Sequence, residues 1–326
     1  MMLMKRILVC LLGIATLVAA FGAPAQSWPA KPVKMIVPWP PGGGNDVLGR
    51  KLGDALSADL GQPVVVENRA GANGMIGAEA VARAAPDGYT MMFHSVTTHA
   101  INPTFYPKIA YDTVADFAPV SLIGEAAHVL VANPEFPAKT VKELIDMATK
   151  APGTIAYASF GSGSSSHLAG EMFDSALSIK LMHVPYKGSG PALTDTMAGH
   201  VPLFFSTVAA ALPAIKAGKV RPLAVTSAKR VSMLPDVPTV DEAAGVKGFE
   251  MTVMYGVWMP ARTPQEIVDR LNASIVKVVS SPAFTSWLQD QGVDPRTSTP
   301  AQMAAYISSE MPKLERVVKA SGAKMD

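Results

Sequence analysis

The chain has 326 residues, 49% of them hydrophobic, with 28 basic and 26 acidic side chains and one cysteine. So small a net charge supplies no basic field for nucleic acid or for an anionic membrane surface, and one cysteine cannot form an internal disulfide, so the fold rests on its core. The length is enough for two domains with cores of their own.

The first 25 residues stand apart from the fold. Lys5 and Arg6 form a basic start, Ile7 to Phe21 an uncharged apolar run, and Ala23-Pro24-Ala25 an A-x-A cleavage signal. This pattern predicts a secretory signal peptide over residues 1–25, because the run is short for a membrane span and no second apolar span follows. Cys10 sits inside the run behind Val9, without the small residue that lipoprotein processing prefers. Removing Lys5 and Arg6 takes the 28 basic residues to 26, against 26 acidic, so the mature chain is neutral and has no thiol.

Strand-like and helix-like runs then alternate. "VKMIVPW" and "PVVVEN" read as strands around a helix Asp46–Leu60, ended by Gly61. A helix Gly74–Ala84 follows, then the strands "YTMMFHS", "APVSLIG" and "HVLVANP". In "TVKELIDMATK", Val141, Leu144, Ile145 and Ala148 share one helix face, with Thr140 as cap. "TIAYAS" reads as a strand and Ser164–Leu177 as a helix. "LMHVPY", "VPLFFS" and "VRPLAVTS" read as strands between helices near 190–198 and 208–217. "MTVMYGVWMP" is a further strand, and helices are predicted over Pro264–Ser280, Pro282–Gln289 and Pro300–Lys319. The alternation predicts an α/β fold with mainly parallel sheets.

Two loops stand out. The first, "VPWPPGGGND" (Val37–Asp46), joins a strand to a helix through three glycines. It lacks the Lys-Ser/Thr of a Walker loop, and Val47 stands where a dinucleotide loop needs its third glycine. What remains is close backbone approach and the free N–H groups of a helix start, which favour an anion. Asp46 reads as cap and loop-former. The second, Ser159 to Ser166, has the same plan and offers hydroxyls and amides without a fixed charge. Two such helix starts in separate halves point to a cleft that clamps an anion between domains.

The ordered set "VPWPPGGGNDVLGRKL", "PVVVENRAGANGMIGAEAVARAAPDGYT", "HAINPTFY", "DFAPVSLI", "YASFGSGSSSHLAGEMF", "HVPYKGSGPALTD" and "LAVTSAKRVSMLPDVPTVDEA" resembles the Bug or TctC-like receptors of tripartite tricarboxylate transporters, from about Trp28 to Asp326. The resemblance implies a periplasmic-binding-protein-like fold: two doubly wound α/β domains, a chain that crosses twice, and a ligand cleft between. It places domain one at 27–125 plus 238–326 and domain two at 126–237. It implies a monomeric receptor, not an enzyme, that binds a small organic carboxylate for integral membrane transporter subunits, with no cofactor and no nucleic acid. Position by position, the first loop contributes Trp39, Pro41, Gly43, Gly44, Asn45 and Asp46. The loop after the third strand contributes His94, Ser95 and Val96. The second-domain loop contributes Ser159, Gly163, Ser164, Ser165 and His167, "VPYKG" gives Tyr186 and Lys187 at the cleft edge, and "FFST" gives Ser206 and Thr207. One departure is Pro202, where the family commonly has aspartate after "GHV". Trp39 stands where the family often has Phe.

Competing chemistries lack support. There is no G-x-S-x-G elbow, and a Ser164/Ser165–His167 pair has no third group in view, so His167 reads as a helix-capping residue. His94 and His99 are badly spaced for one metal on a helix face, and His128, His183 and His200 are scattered. The methionines outside the leader fall on apolar faces as core filler. Two readings stay open beside transport: a receptor that signals to a membrane sensor kinase, and a periplasmic hydrolase.

The leader gives the first prediction. Mass spectrometry of the periplasmic fraction should find a thiol-free protein beginning at Gln26, within a residue or two. An intact Met1 or a lipid-modified species would overturn it.

Overall fold

The computed structural model describes residues 28–106 and 108–321; the predicted signal peptide lies outside the described residues. The first sheet begins with β1 (Val33–Val37) and β2 (Val64–Asn68) around α1 (Gly44–Leu60). After a short 3-10 turn come α2 (Met75–Ala82), β3 (Thr90–Ser95) and α3 (Val96–Phe105). The runs expected as two strands near 120 and 130 are one strand, β4, Phe117–Ala132. The second half adds α4 (Val141–Lys150), β5 (Ala156–Ser159), α5 (Ser165–Leu177), β6 (Met182–Pro185), α6 (Ser189–Ala198), β7 (Leu203–Thr207), α7 (Val208–Lys216), β8 (Arg221–Val225) and α8 (Val240–Ala244). The chain returns through β9 (Thr252–Pro260) and ends in α9 (Gln265–Val279), α10 (Pro282–Asp290), β10 (Val293–Pro295) and α11 (Pro300–Ser321).

The strand order is β2-β1-β3-β9-β4-β7-β5-β6, with β8 and β10 also on β4. The expectation of mainly parallel sheets needs correcting. The outer pairs β1–β2, β1–β3, β5–β6 and β5–β7 are parallel, but every pair that includes β4 or β9 is antiparallel. The reason is topological. β4 carries the chain out of the first lobe and β9 carries it back in, side by side and in opposite directions. Phe117 to Ala127 of β4 pair with β9, and His128 to Ala132 pair with β7.

Helix α3 was not expected. Its sequence, "VTTHAINPTF", has five β-branched residues and Pro103, poor intrinsic helix material. Burial and the Ser95 cap, whose hydroxyl accepts from the Thr98 amide, override that propensity. Val240, Phe249 and Met251 pack in the second core. Helix α11 also touches both lobes: Met303 and Ile307 pack in a first-lobe cluster and Leu314 and Val318 in the second-lobe core. None of the described helices is long and apolar enough to cross a membrane.

Three buried histidines, His94, His99 and His128, lie along this frame. Burial holds His94 well below its ordinary value. Burial also pushes His99 down to about 4, against a Thr113 carbonyl contact that raises it. Burial takes His128 to about 3. In the unfolded chain each ring binds a proton near pH 6.5, whereas in the fold it does not, so stability falls as pH drops below that value. Asp174, pushed up to about 6 by burial, acts in the opposite direction over part of the range. Urea titrations should therefore give a folding free energy at least ~2 kcal/mol lower at pH 5 than at pH 7.5. Equal stability at both values would show that these rings protonate freely in the fold.

Candidate functional site

The glycine loop after β1 is closed by Asp46. Its carboxylate accepts from the Gly42 amide at 2.9 Å and the Asn68 side chain at 2.8 Å, and pairs with Arg50 at 3.0 Å. Burial pushes this carboxyl up, but the partners outweigh it and hold it below the ordinary value. The loop that results has Gly42 at φ +83° and Gly43 as the N-cap of α1, with no side-chain hydrogen bond capping the helix end.

That helix end opens on a narrow cavity between the lobes, closed down to about 10 Å³ of free space. From the first lobe it is lined by Trp39, Pro40, Gly43, Gly44, Asn45 and Ser95, with Val253 and Tyr255 from β9. Phe160, Ser189 and Thr207 come from the second lobe. Gly43, Ser95 and Thr207 cap α1, α3 and α7, and Ser189 is the first residue of α6. Four helix N-termini thus face one space whose lining residues carry no formal charge. Each brings helix-start amide donors and the positive end of its dipole, with the Thr98 and Ala210 amides already taken by the Ser95 and Thr207 hydroxyls. Asn45 Oδ1 is buried there without a hydrogen-bond partner among the described residues, and the Tyr255 hydroxyl lies beside Thr207.

Of the residues singled out in the sequence, Trp39, Gly43, Gly44, Asn45, Ser95 and Thr207 meet in this cavity. Asp46 stands behind it as loop anchor, and Pro41 is exposed on the rim. His94 lies behind Trp39, whose indole N–H donates to its Nδ1 at 3.0 Å. Val96 is core. In the second-lobe loop, Ser164 caps α5: its hydroxyl accepts from the His167 amide and donates to the Gly161 carbonyl. His167 Nδ1 accepts from the Gly163 amide at 3.0 Å, so His167 supports the loop from within. Ser159 is fully buried and 2.7 Å from His183 Nε2. Ser165 and Ser206 are buried with hydroxyls that have no partner among the described residues. Tyr186 donates to Asp195 at 2.7 Å, and Lys187 is exposed.

Phe160 and Ser189 were within quoted runs, one residue past Ser159 and two past Lys187, but nothing local marked them. Tyr255 and Val253 arrive on β9, some 200 residues along the chain, and only the sheet order brings them here.

The lobes meet through glycines. A Cβ on Gly44 would lie 2.8 Å from Thr207 Oγ1 and 3.3 Å from the Tyr255 hydroxyl. One on Gly163 would meet the Phe105 ring at 2.6 Å, and one on Gly188 would meet Pro40 at 2.7 Å. The Tyr106 hydroxyl donates across the same seam to the Ser162 carbonyl at 2.6 Å. This is a closed arrangement that side chains at those glycines would hold apart.

Comparison with known proteins places these features in context. A family model described as "Tripartite tricarboxylate transporter family receptor" matches residues 48–323. Protein BugT of Bordetella pertussis is 38% identical over 321 residues, 98% of each chain. The structure of Rpa4515 from R. palustris with adipate is similar with a TM-score of 0.89 and 36% identity, covering 92% of this chain and all of that one. MatC from Rhodopseudomonas palustris with bound malate has a TM-score of 0.83 and 32% identity, covering 89% of this chain and all of that one.

Gly44 supplies a test of the seam. Its backbone is ordinary for a helix start, so Gly44→Ala should leave the melting temperature of the free protein nearly unchanged. The added methyl should disfavour closure and weaken ligand binding at least roughly tenfold, a cost of about 1.4 kcal/mol. Calorimetry that found wild-type affinity would show that the lobes do not close through Gly44.

Proposed function

We propose, since this chain belongs to the family of tripartite tricarboxylate transporter receptors, that it is exported to the periplasm, closes its lobes on a small organic carboxylate and delivers it to membrane transporter subunits. The family and the structural neighbours are substrate-binding receptors, not enzymes. The observation that carries the ligand class is the meeting of four helix N-termini at one uncharged cavity. A carboxylate taken out of water needs its oxygens hydrogen-bonded. Helix-start amides meet that need without a counter-ion, and hydrogen bonds to a charged group contribute about 1.5–3 kcal/mol each.

The acids bound by the two neighbours, adipate and malate, are small aliphatic dicarboxylates. With an uncharged cavity that the lobes close down tightly, we assign this chain an acid of that class. Gly43, Gly44, Asn45, Ser95, Ser189 and Thr207 are assigned as the groups that hold it. Ser165 and Ser206 supply spare hydroxyls nearby, and Lys187 stands at the rim. The receptor acts as a monomer whose first lobe ends near residue 125 and resumes near residue 252.

A thermal-shift screen against linear and hydroxylated dicarboxylates, tricarboxylates and aromatic acids tests this reading. An acid at ~100 times its dissociation constant should add about 2.7 kcal/mol of stability. Small-angle scattering should record a smaller radius of gyration with that acid. Because amide dipoles in a closed cleft are poorly screened, affinity should change little with moderate salt, and Lys187→Met should cost little. A steep salt dependence with a large loss in Lys187→Met would mean that a rim charge anchors the ligand, and a chain stabilised by no acid would defeat the assignment.

A further inference from the structure

The wall of the cavity at Trp39 is built in an unusual way. The indole is 6% exposed, and its N–H donates to His94 Nδ1 at 3.0 Å. An indole nitrogen can only donate, so that ring nitrogen of His94 is bare and the proton sits on Nε2. Behind it, His94 is fully buried against the His99 ring at 5.8 Å and the Trp258 ring at 6.5 Å. Gly74, at φ +84°, lets the backbone approach so closely that a Cβ there would be 2.9 Å from the His94 ring. The histidine is therefore held among His99, Trp258 and Gly74 and offers one acceptor to the indole, while its Nε2 is buried without a partner among the described residues.

The other edge of Trp39 faces the opposite lobe. Phe160 meets it edge-on, with ring centroids 5.6 Å apart and planes at 86°. Both rings line the cavity. Side chains with no polar end could slide along such a seam. An indole pinned by a hydrogen bond cannot, so the ring holds its place in the lining of the cavity.

We propose that His94 is a positioning residue that pins the Trp39 indole as a fixed end wall, and that this wall, closed by Phe160, sets the longest acid the cavity accepts. The proposal rests on the reading that this cavity holds a carboxylate and adds which residues measure its length. Trp39, Phe160 and Val253 bring no charged group to the wall, so the limit it sets is one of length and shape, and both carboxylates of a diacid must reach the amides and hydroxyls of the helix starts. Once the lobes part enough to admit an acid, a shorter one lies beneath the indole, whereas a longer one must displace it and break its hydrogen bond in a buried place, which is costly.

The experiment uses the mature protein in four forms: wild type, His94→Asn, His94→Leu and Trp39→Phe. Asn offers an acceptor close to where Nδ1 lies, Leu offers none, and Phe keeps a ring but no donor. Calorimetry with the linear four-, six- and eight-carbon dicarboxylates reads the affinity ratio between the shortest and the longest acid. His94→Leu and Trp39→Phe should shift that ratio toward the longer acid by roughly tenfold, and His94→Asn should stay near wild type. A ratio unchanged in His94→Leu and Trp39→Phe overturns the proposal. So does an equal shift in His94→Asn, which would mean bulk, not the hydrogen bond, holds the wall.

A second readout needs no ligand. The indole N–H of Trp39, identified in nitrogen-15 spectra by its loss in Trp39→Phe, should be hydrogen-bonded and slow to exchange in wild type and His94→Asn, and should move and exchange faster in His94→Leu. An unmoved resonance in His94→Leu overturns the pinning even if no acid in the series binds. Failure of all three acids on wild type, with the resonance behaving as expected, counts against the carboxylate reading and not against the pinning. Should His94→Leu fail to fold, Trp39→Phe against His94→Asn carries the same comparison.

Discussion

One strand has to serve two sheets. β4 runs 16 residues without a break, and its buried backbone must be paired along its whole length. The first part is satisfied by β9 and β10, the last by β7 and β8. Two sheets that share a strand cannot slide apart, but they can bend about the point where one set of partners gives way to the other, near Ala127 and His128. The cavity lies on the line where the ends of β3, β7 and β9 meet, so the constraint that joins the lobes also decides where a ligand is enclosed.

At that place the chain uses oriented amides where another protein would use a cation. Arg50, the nearest basic residue in the first loop, is tied to Asp46 and Asn68, so it holds the loop and leaves the cavity neutral. For the proposed receptor, which would open to release an anion, neutrality suits the cleft, because a buried fixed charge left without its partner is far costlier than a helix end returned to water. Glycines at the seam serve the same cycle. They let the helix ends approach to contact distance and add nothing that must be pulled apart.

Behind the second-lobe loop lies a denser polar cluster. His167 and His183 are stacked with centroids 3.8 Å apart, Glu171 accepts from the Tyr157 hydroxyl at 2.9 Å, and Lys180 lies 3.6 Å from Glu171. Burial would raise the Glu171 carboxyl, but His167, Tyr157 and Lys180 together bring it down to about 2. The Ser–His reading weighed from the sequence joined Ser164 or Ser165 to His167, and the geometry divides those parts otherwise. The Ser164 hydroxyl is occupied as a cap, and the serine at hydrogen-bond distance from a histidine is Ser159, sealed from solvent. Ser159 does not line the cavity, and the cluster stiffens the loop that Phe160 emerges from.

The sequence by itself determined the elements and the character of the two loops. Periodicity suffices for that, because a helix or strand with one buried face must repeat its apolar residues at its own period. Thr140 as the cap of α4, Asp46 as loop-former and the Gly61 terminus of α1 were all legible for the same local reason. Relations between distant segments were not. That β4 is one strand and antiparallel to β9, that α3 forms despite its composition, and that Tyr255, Ser189 and Phe160 close on Gly44 depend on packing across a hundred residues or more, which leaves no periodic trace. Trp39 marks the boundary most clearly. Its place in the first loop could be read from the chain, but the direction of its ring was decided by a histidine 55 residues away, wedged by Gly74 and Trp258 into the only position from which it can hold that indole.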